Sequence, residues 1–393
     1  MLDENVQPRE YRAPDMPISY RADHVGSLLR PQALLDARRD TGVSREELTG
    51  LEDAHILEAL RRQKAAGLRI FTDGEFRRAG FMSDFYDSVE GLDRTGEIAR
   101  AWKGAASAIG GTSGGRAARS GLAGVAVEKI VQTKRLTDHE VAFLTRHAPG
   151  DLKVTLPTAN QFPAICYKKG LSERAYPNHS AFLWDIVPII RAEIAALVAD
   201  GVKYIQIDAP RYSYYIDPNW RQHIEEEMGV DPEEALDEAV RADNACLDGL
   251  AGAKPPGVTF AIHLCRGNNR SQWYASGGYD PIAEKLFNEL HVDLFLLEYD
   301  SERAGTFEAL RFVPKDKAVV LGLVSSKLPE LESQEQLTRR IEEASRYVPL
   351  ENLAVSPQCG FASAMEGNLL TEDDQWRKLR LVVDTARTIW KDA

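Results

Sequence analysis

A histidine, two cysteines and a glutamate follow apolar runs of this 393-residue sequence in a pattern that suits metal binding. His263 and Cys265 occupy alternate positions of one run, so in a strand both side chains point the same way. Glu298 ends the next run and Cys359 ends the last one. Together they offer one nitrogen, two sulfurs and one carboxylate oxygen, a donor set that suits tetrahedral Zn²⁺. Taken singly, each residue is more typical of ordinary packing or of a strand-end ion pair, because the spacing is not that of a local zinc finger.

The elements that must position these residues form a repeated unit of amphipathic helix, polar turn and short apolar run. In one copy, apolar residues at helical spacing end at Asp200-Gly201, and a run rich in β-branched residues follows. The chain contains eight candidate strands: Tyr20–Ser27, Arg69–Glu75, Lys153–Pro157, Tyr204–Pro210, Val258–Cys265, Leu294–Asp300, Ala318–Ser325 and Leu353–Cys359. Eight strands that alternate with helices predict an α/β fold, a single (β/α)₈ TIM-type barrel. The alternative is a doubly wound open sheet, but no G-x-G-x-x-G follows the first run.

One region breaks this alternation between the second and third strands. Residues 101–150 contain the glycine-rich segment Gly110–Gly115 and the strand-like run Val125–Gln132. Fifty residues are too many for a plain connection, so we expect a Gly-rich loop and a hairpin that lie over the barrel mouth as a lid. The alternative is a disordered surface insertion. Residues 1–19 predict an N-terminal arm, and residues 20–393 form the predicted barrel domain.

Charge and composition exclude several classes of function. The 48 Lys and Arg residues against 60 Asp and Glu residues give a net charge of −12, which argues against nucleic-acid binding and against an anionic membrane surface. No apolar run approaches the roughly 20 residues that span a bilayer, and no apolar segment follows a basic N-terminus. Four cysteines in this length are not a disulfide framework. These features predict a cytoplasmic enzyme.

The ends of the candidate strands predict where the chemistry lies. In a (β/α)₈ barrel the active site is at the carboxyl ends of the strands. Nearly all of these ends carry polar or nucleophilic residues: Gly26-Ser27, Asp73-Gly74-Glu75, Thr155-Leu156-Pro157, Asp208, His263-Leu264-Cys265, Glu298, Ser325 and Cys359. Cys166 and Cys246 lie outside the strand ends and are interpreted as structural. The pattern indicates an enzyme whose site includes the four candidate zinc ligands.

These motifs resemble the catalytic barrel of cobalamin-independent methionine synthase, in a form with a single barrel. The matching segments span nearly the whole chain in the family's order: Asp23-His24-Val25-Gly26-Ser27, Asp73-Gly74-Glu75, Ile205-Gln206-Ile207-Asp208, His263-Leu264-Cys265, the strand that ends at Glu298, and Ser356-Pro357-Gln358-Cys359-Gly360. The chain also looks similar to single-barrel bacterial proteins described only as methionine-synthase-like. The same superfamily contains epoxyalkane:coenzyme M transferases, which attack an epoxide with a sulfonate thiol.

The resemblance implies a zinc-dependent methyltransferase of methionine biosynthesis. It assigns Zn²⁺ to His263, Cys265, Glu298 and Cys359, and it implies that the sulfur of homocysteine joins the metal. A metal lowers the pKa of a thiol, ordinarily about 8.5, so that a thiolate nucleophile exists at neutral pH. That thiolate would attack a methyl group directly, without a cobalamin carrier. The catalytic residues implied are His263, Cys265, Cys359 and Asp208.

The resemblance also implies how the amino-acid part of the substrate is held. It places substrate-binding residues at Gly26, Ser27, Asp73, Glu75 and Asp208. Ser27 and its neighbouring backbone would hold the carboxylate, whereas Glu75 and Asp208 would hold the α-ammonium by charge-assisted hydrogen bonds. The alternative for these two acids is helix capping or an ion pair at the barrel rim.

Departures from the family pattern leave the second substrate open. Asp208 is followed by Ala209-Pro210, where the family has Glu-Pro, and Cys265 is followed by an unfamiliar Arg266-Gly267-Asn268. A methyl-folate is the donor that the resemblance suggests, but no single aromatic residue can be assigned to stack on its pterin. Three tryptophans are candidates for that role: Trp184, Trp220 and Trp273. Because relatives carry a second barrel, analogy favours a homodimer.

Two other functions compete with methyl transfer to homocysteine. One keeps the zinc and changes the thiol or the electrophile, as in an epoxyalkane:coenzyme M transferase. A sulfonate thiol would prefer arginines, and several lie near strand ends: Arg21, Arg77, Arg78, Arg211 and Arg266. The other is a non-catalytic protein that binds zinc or a thiol amino acid.

Overall fold

A computed structural model describes residues 18–95, 102–103, 124–248 and 256–391. These residues contain nine strands: β1 (Ile70–Phe71), β2 (Val89–Asp93), β3 (Val125–Gln132), β4 (Asp151–Pro157), β5 (Tyr204–Asp208), β6 (Thr259–Leu264), β7 (Leu294–Glu298), β8 (Ala318–Val324) and β9 (Leu353–Pro357). Seven of them form one parallel sheet in the order β1-β4-β5-β6-β7-β8-β9, and β2 pairs with β3 in a separate antiparallel sheet. Neighbouring strands of the large sheet follow each other along the chain, as in a barrel.

The segment that precedes β1 lies beside the last strand and continues the curled sheet toward its first strand. Ala22 forms a parallel bridge with Val355 of β9, and on the other side the backbone N–H of Leu28 donates to the carbonyl of Gly74 at 3.0 Å. The sequence predicts a full strand over Tyr20–Ser27, but the described structure has only this one bridge. Side chains take the carbonyls that a strand would use: Lys153 bonds His24 O, Gln206 bonds Val25 O and Thr72 bonds Gly26 O. The predicted α/β barrel is thus confirmed, with seven paired strands and this segment in the eighth position.

Helices cover the outside of the sheet. The described residues contain α1 (Gln32–Arg39), α2 (Arg45–Ala66), α3 (Ser83–Asp87), α4 (Asp138–His147), α5 (Pro163–Cys166), α6 (His179–Ala199), α7 (Pro218–His223), α8 (Pro232–Leu247), α9 (Asp280–Glu289), α10 (Gln334–Ala344) and α11 (Glu372–Ile389). Local sequence fixes their ends, since Ser44 and Glu47 form a capping box at the start of α2 and Gly67, at φ 94°, ends it. Within the described ranges, none of the helices has the length and apolar character to cross a bilayer.

The insertion between the second and third barrel strands contains the predicted hairpin. β2 pairs antiparallel with β3, with Val89 opposite Gln132 and Asp93 opposite Val125. The hairpin therefore begins before residue 101, and the predicted range 101–150 also takes in α4. The segment Gly110–Gly115 lies outside the described residues, as does the predicted arm 1–19 except for its last two residues. The lid remains a prediction.

A layer of buried polar side chains lies inside the barrel below the strand ends. Lys153 Nζ donates to Asp23 Oδ1 at 2.5 Å, to His24 O at 2.7 Å and to Gln206 Oε1 at 3.0 Å. Tyr204 donates its hydroxyl to the other oxygen of Asp23 at 2.7 Å. A buried ammonium is tolerated only when it is paired and hydrogen-bonded, and here all three of its donors have partners. This layer lies directly below the strand-end residues and supports them.

Candidate metal and substrate site

Three of the four predicted metal ligands come together at the carboxyl ends of the strands. His263 is the second-last residue of β6, Cys265 directly follows that strand, and Cys359 lies just beyond β9. Their ligand atoms are all within 4.8 Å of one another. All three side chains are buried. Both ring nitrogens of His263 are buried, and apart from an interaction of the imidazole with Cys359 neither has a hydrogen-bond partner. Because a buried imidazole needs partners for both nitrogens, this arrangement fits a histidine that ligates a metal ion.

The two thiols of this group are hydrogen-bonded to each other. A hydrogen bond between them is the main reason that the pKa of Cys265 is raised well above its ordinary value, while the same bond and His263 lower the pKa of Cys359 well below it. Lys327 favours negative charge on both sulfurs, and its Nζ is held by Gly267 O at 2.9 Å and Asn268 Oδ1 at 3.0 Å. A thiolate is the form of cysteine that binds a metal. The site therefore favours that form at Cys359.

Glu298, the fourth predicted ligand, lies outside this group of three. It ends β7 and is fully buried. Its Oε1 accepts hydrogen bonds from Arg303 at 2.6 and 3.0 Å, and its Oε2 accepts from the backbone N–H of Arg266 at 2.9 Å. Arg303 in turn lies over the ring of Trp273, 4.5 Å from its centre. The carboxylate is near enough to influence the pKa of His263 and Cys265, but its role as a ligand stays a prediction.

Glu75 and Asp208, predicted to hold the substrate's ammonium, line one cavity with the histidine and both thiols. Burial raises the pKa of Glu75, although Arg78 and Arg30 oppose it. Burial also raises the pKa of Asp208 to about 7, with His263 opposing and Glu75 adding to the shift. Glu75 Oε1 accepts from Thr155 Oγ1 at 3.1 Å, whereas Oε2 is buried and has no partner. Arg78 lies 4.0 Å from Glu75 Oε1, but no arginine or lysine is found in the described lining, so the two acids suit a cationic ligand group.

The other predicted substrate residues surround Glu75. Gly26 has a φ of 139°, and a Cβ there would lie 2.9 Å from Thr155 Cγ2 and 3.2 Å from Glu75 Oε1, so the close approach needs glycine. Ser27 lines the cavity, and its Oγ accepts from the backbone N–H of Ala362 at 3.3 Å. Asp73 does not line the cavity: its Oδ1 accepts from the backbone N–H of Glu75 at 2.8 Å. Asp73 thus positions Glu75, which has the left-handed φ of 60°.

Two supporting residues were not predicted from the sequence. Gln206 donates to Asp208 Oδ1 at 2.9 Å and to Val25 O at 2.6 Å, and its Oε1 accepts from Lys153. Since an ammonium only donates, Lys153 fixes the orientation of the Gln206 amide so that its NH₂ group faces Asp208. The sequence contained a signal, because Gln206 and Asp208 are two residues apart in one strand and share a face.

One part of the cavity lining is apolar and aromatic, and this part was also not predicted from the sequence. Its side chains include Phe81, Met82, Trp102, Ile165 and Tyr274. The three tryptophans considered for stacking on a pterin are not part of this lining. Among the described residues, Trp102 is the tryptophan that lines the cavity. None of the five arginines near strand ends lines the cavity, and no other arginine or lysine is found in its described lining.

A second group of possible ligands lies beside the first. Asp84, His139 and Glu140 also bring ligand atoms within 4.8 Å of one another. Arg78, however, lies among them: its guanidinium pairs with Asp84 at 2.6 Å and with both oxygens of Glu140. Arg78 is almost completely buried and also contacts Thr155. Asp84 and Glu140 are therefore already paired with a cation, the guanidinium of Arg78.

The chain is similar to known proteins over nearly its whole length. The family model described as cobalamin-independent synthase, catalytic domain, matches residues 169–388. The uncharacterized protein YxjH of Bacillus subtilis (strain 168) is 37% identical over 381 residues, which cover 95% of each chain. The methionine synthase of Pyrococcus horikoshii is 25% identical over 374 residues, which cover 94% of this chain and 92% of that protein.

Solved structures show the same fold. A Listeria monocytogenes protein, provisionally assigned as a vitamin-B12-independent methionine synthase, is 29% identical with a TM-score of 0.69, and the match covers 96% of this chain and 99% of that one. A B12-independent methionine synthase from Shewanella sp. W3-18-1 is 19% identical with a TM-score of 0.70, over 94% of this chain and 98% of that one. This chain therefore belongs to the family of cobalamin-independent methionine synthases and contains that family's catalytic domain.

Proposed function

We propose that this protein is a zinc-dependent methyltransferase that converts a homocysteine-type thiol amino acid to its methyl thioether without cobalamin. The observation that carries the proposal is the shared cavity: one imidazole and two thiols within 4.8 Å lie in the same lining as two buried carboxylates. The first set suits a soft metal and a thiol, and the second suits an ammonium. A thiol amino acid offers both groups in one small molecule.

In this proposal His263, Cys265 and Cys359 hold the zinc ion, and Glu298 is the fourth ligand. A bound zinc ion would lower the pKa of the substrate thiol so that it is a nucleophile at neutral pH. The fit rests on the buried imidazole of His263, whose recorded partner is Cys359, and on the lowered pKa of Cys359. Lys327 supports the negative charge of the sulfurs from its place against Gly267 and Asn268.

Glu75 and Asp208 bind the α-ammonium in this proposal, and Ser27 with its neighbouring backbone binds the α-carboxylate. An ammonium between the two acids would restore the charged form that burial disfavours. Gln206 holds Asp208, and Thr155 holds Glu75, so both acids have a fixed direction into the cavity. Burial of the two acids costs free energy, and a bound ammonium would recover part of it, so their burial favours recognition of the substrate.

The same lining favours an amino-acid thiol over a sulfonate thiol. A sulfonate is anionic at both ends once its thiol ionises, and it needs arginine or lysine partners. Arg78 pairs with Asp84 and Glu140, and Arg266 donates to Gly277 O. With its charged side chains acidic, the described lining disfavours the reaction of an epoxyalkane:coenzyme M transferase.

Metal analysis and ligand titration test the proposal together. Protein grown with zinc should contain about one zinc per chain by mass spectrometry, and Cys265→Ser should lose it, whereas Cys246→Ser, a buried thiol in α8, should keep it. Glu75→Gln should keep its zinc and bind L-homocysteine more weakly in calorimetry. A zinc-free wild-type protein would contradict the metal centre, and zinc loss in Glu75→Gln with unchanged homocysteine affinity would reverse the role of that residue.

A further inference from the structure

The part of the cavity that the amino-acid substrate does not use has a wall of aromatic rings and a thioether. Trp102 and Tyr274 meet edge to face with their ring centres 5.4 Å apart, and Phe81 and Met82 continue the wall. Ile165 completes its apolar surface. The electron-rich faces of such rings attract cations, most strongly where water is excluded.

Several features of the backbone serve to place this wall beside the thiols. Gly267, two residues after Cys265, has a φ of 93°, and a Cβ there would lie only 2.3 Å from Tyr274 Cδ1. The Tyr274 ring therefore occupies the space that any other residue at 267 would need. Tyr274 is fixed further by its hydroxyl, which donates to Pro210 O at 2.9 Å. The Tyr274 ring is therefore held in a fixed position in the cavity lining.

Trp102 is anchored through the residue that follows it. Lys103 N donates to Trp273 O at 2.6 Å, and Trp273 N donates back to Lys103 O at 3.0 Å. These two bonds form an antiparallel bridge between the insertion and the loop that carries Tyr274. Trp102 and Tyr274, the two rings that meet in this wall, thus come from two segments that are held together by backbone pairing.

The charges of the cavity have one sign. Its described lining contains the acids Glu75 and Asp208 and the thiols Cys265 and Cys359 but no lysine or arginine. Arg78 and Lys327 act on Glu75 and on the thiols from behind this lining. A thiol amino acid brings one ammonium and one carboxylate, so its zwitterion leaves this balance unchanged. A second ligand with a negative tail would meet repulsion, whereas a cation would meet attraction.

We propose that the methyl donor of this enzyme is a small methylsulfonium compound, bound with its positive sulfur against Trp102 and Tyr274. The inference rests on the proposed function and names its second substrate class. In the reaction, the substrate thiolate attacks a methyl carbon of the sulfonium and forms a new S–C bond. The old S–C bond breaks, and its electron pair stays on the donor's sulfur, which leaves as a neutral thioether. One negative and one positive charge cancel, and no oxidant, reductant or proton is needed.

The apolar wall suits both sides of this reaction. The sulfonium cation is held by the aromatic faces, and the neutral thioether that leaves is an apolar molecule that Met82 and Ile165 can contact. A folate donor would instead bring carboxylates into a cavity whose described lining offers them no cation. The lining therefore distinguishes the two donors by charge.

Binding of trimethylsulfonium to the zinc-loaded protein tests this inference without any turnover. We expect saturable binding, and we expect tert-butanol, a neutral molecule of similar size, to bind at least about tenfold more weakly. Trp102→Leu should weaken trimethylsulfonium binding about tenfold and keep its zinc content and its affinity for L-homocysteine. Trp184→Leu is the matched control, because that tryptophan is 40% exposed on α6 and should leave all three quantities unchanged.

A second measurement follows the methyl group. Deuterated trimethylsulfonium and 5-methyltetrahydrofolate are each supplied with homocysteine, and labelled or unlabelled methionine is detected by mass spectrometry. Labelled methionine from the sulfonium supports the inference. Methionine from the folate alone, equal binding of tert-butanol, or normal sulfonium binding by Trp102→Leu would overturn it and leave the methyltransferase intact. Failure of the proposed function is separate: zinc or homocysteine would then not bind, whatever trimethylsulfonium does.

Discussion

Two neighbouring groups of side chains meet the same geometric condition for a metal site and differ in charge. The ligand atoms of His263, Cys265 and Cys359 lie within 4.8 Å of one another, and so do those of Asp84, His139 and Glu140. In the second group the guanidinium of Arg78 pairs with both acids. We call the first group uncompensated because no lysine or arginine is found in its described lining: Lys327 acts on the sulfurs from behind it, and the imidazole interacts only with Cys359.

The difference shows that proximity alone does not indicate a ligand site. A cluster of acids that contains its own guanidinium satisfies its charge inside the protein, so it stabilises the fold once formed. A cluster that is buried, soft and uncompensated leaves its charge to be satisfied by something that binds. Glu75 and Asp208 extend this group: burial raises the pKa of both, and Glu75 Oε2 has no partner, although Oε1 lies 4.0 Å from Arg78.

Removing a sulfur from the uncompensated group should have the largest effect. In Cys359→Ser an alcohol replaces a thiolate ligand, so we expect loss of most of the bound zinc. Because changes behind a metal ligand already cost 10- to 100-fold, we expect methyl transfer to fall by more than about 100-fold. Metal content and methionine formation are measured together, with Cys246→Ser as the control thiol. Full zinc occupancy and normal kinetics in Cys359→Ser would remove this residue from the site.

Removing the cation of the compensated group should affect the fold and spare the metal. Arg78→Met leaves Asp84 and Glu140 buried without a partner, and we expect a loss of about 3–5 kcal/mol in the free energy of unfolding. Urea denaturation measures it, and zinc content per folded chain should stay the same. Arg339→Met, which breaks an exposed helix pair with Glu335, should cost less than about 1 kcal/mol. An Arg78 variant that unfolds normally but loses zinc would erase the distinction between the groups.

The sequence predicts the first group better than the second for a physical reason. His263 and Cys265 alternate in one strand, and parallel strands end at the same edge, so period and topology together place them beside Cys359. The Arg78 cluster joins a turn and two separate helices, and no period relates them. The strand register was therefore enough to predict that His263, Cys265 and Cys359 come together, and it was not enough to predict the ion pairs of Arg78.

Two features of the site depended on tertiary contacts that no local pattern encodes. Trp102 enters the cavity wall because Lys103 pairs with Trp273, far along the chain. The segment Tyr20–Ser27 has the composition of a strand, but Lys153 and Gln206 take carbonyls that a strand would share with its neighbour. In both places a long-range hydrogen bond decides the local conformation, and the sequence prediction of a regular strand was only partly right.

Titration should distinguish the acids of the cavity from other buried acids. Burial raises the pKa of Asp208 to about 7, so below that pH it binds a proton and no longer attracts an ammonium. We expect the affinity for L-methionine, the product, to fall by up to about tenfold per pH unit below 7 and to level off above about 8. Asp208→Asn should bind methionine weakly with little pH dependence in calorimetry.

A matched control for this titration lies outside the cavity. Burial also raises the pKa of Asp243 to about 7, and its carboxylate accepts from Tyr212 at 2.8 Å. Asp243→Asn should therefore keep the wild-type pH profile of methionine binding. A profile that flattens in this variant, or one that persists in Asp208→Asn, would show that the titrating group is not the cavity acid.

The smallest effect is expected where the two groups touch. Thr155 Oγ1 donates to Glu75 Oε1 at 3.1 Å and accepts from Arg78 at 2.9 Å, so one hydroxyl joins the uncompensated acid to the compensated cluster. Thr155→Val keeps the shape and removes the hydroxyl, and the loss of one bond to a charged acid should raise the KM for homocysteine about fivefold, with kcat nearly unchanged. Thr155→Ser should restore the wild-type KM. If valine lowered stability by several kcal/mol and left KM alone, Thr155 would belong to the Arg78 cluster, and Glu75 would owe its direction to Asp73 and its strained backbone instead.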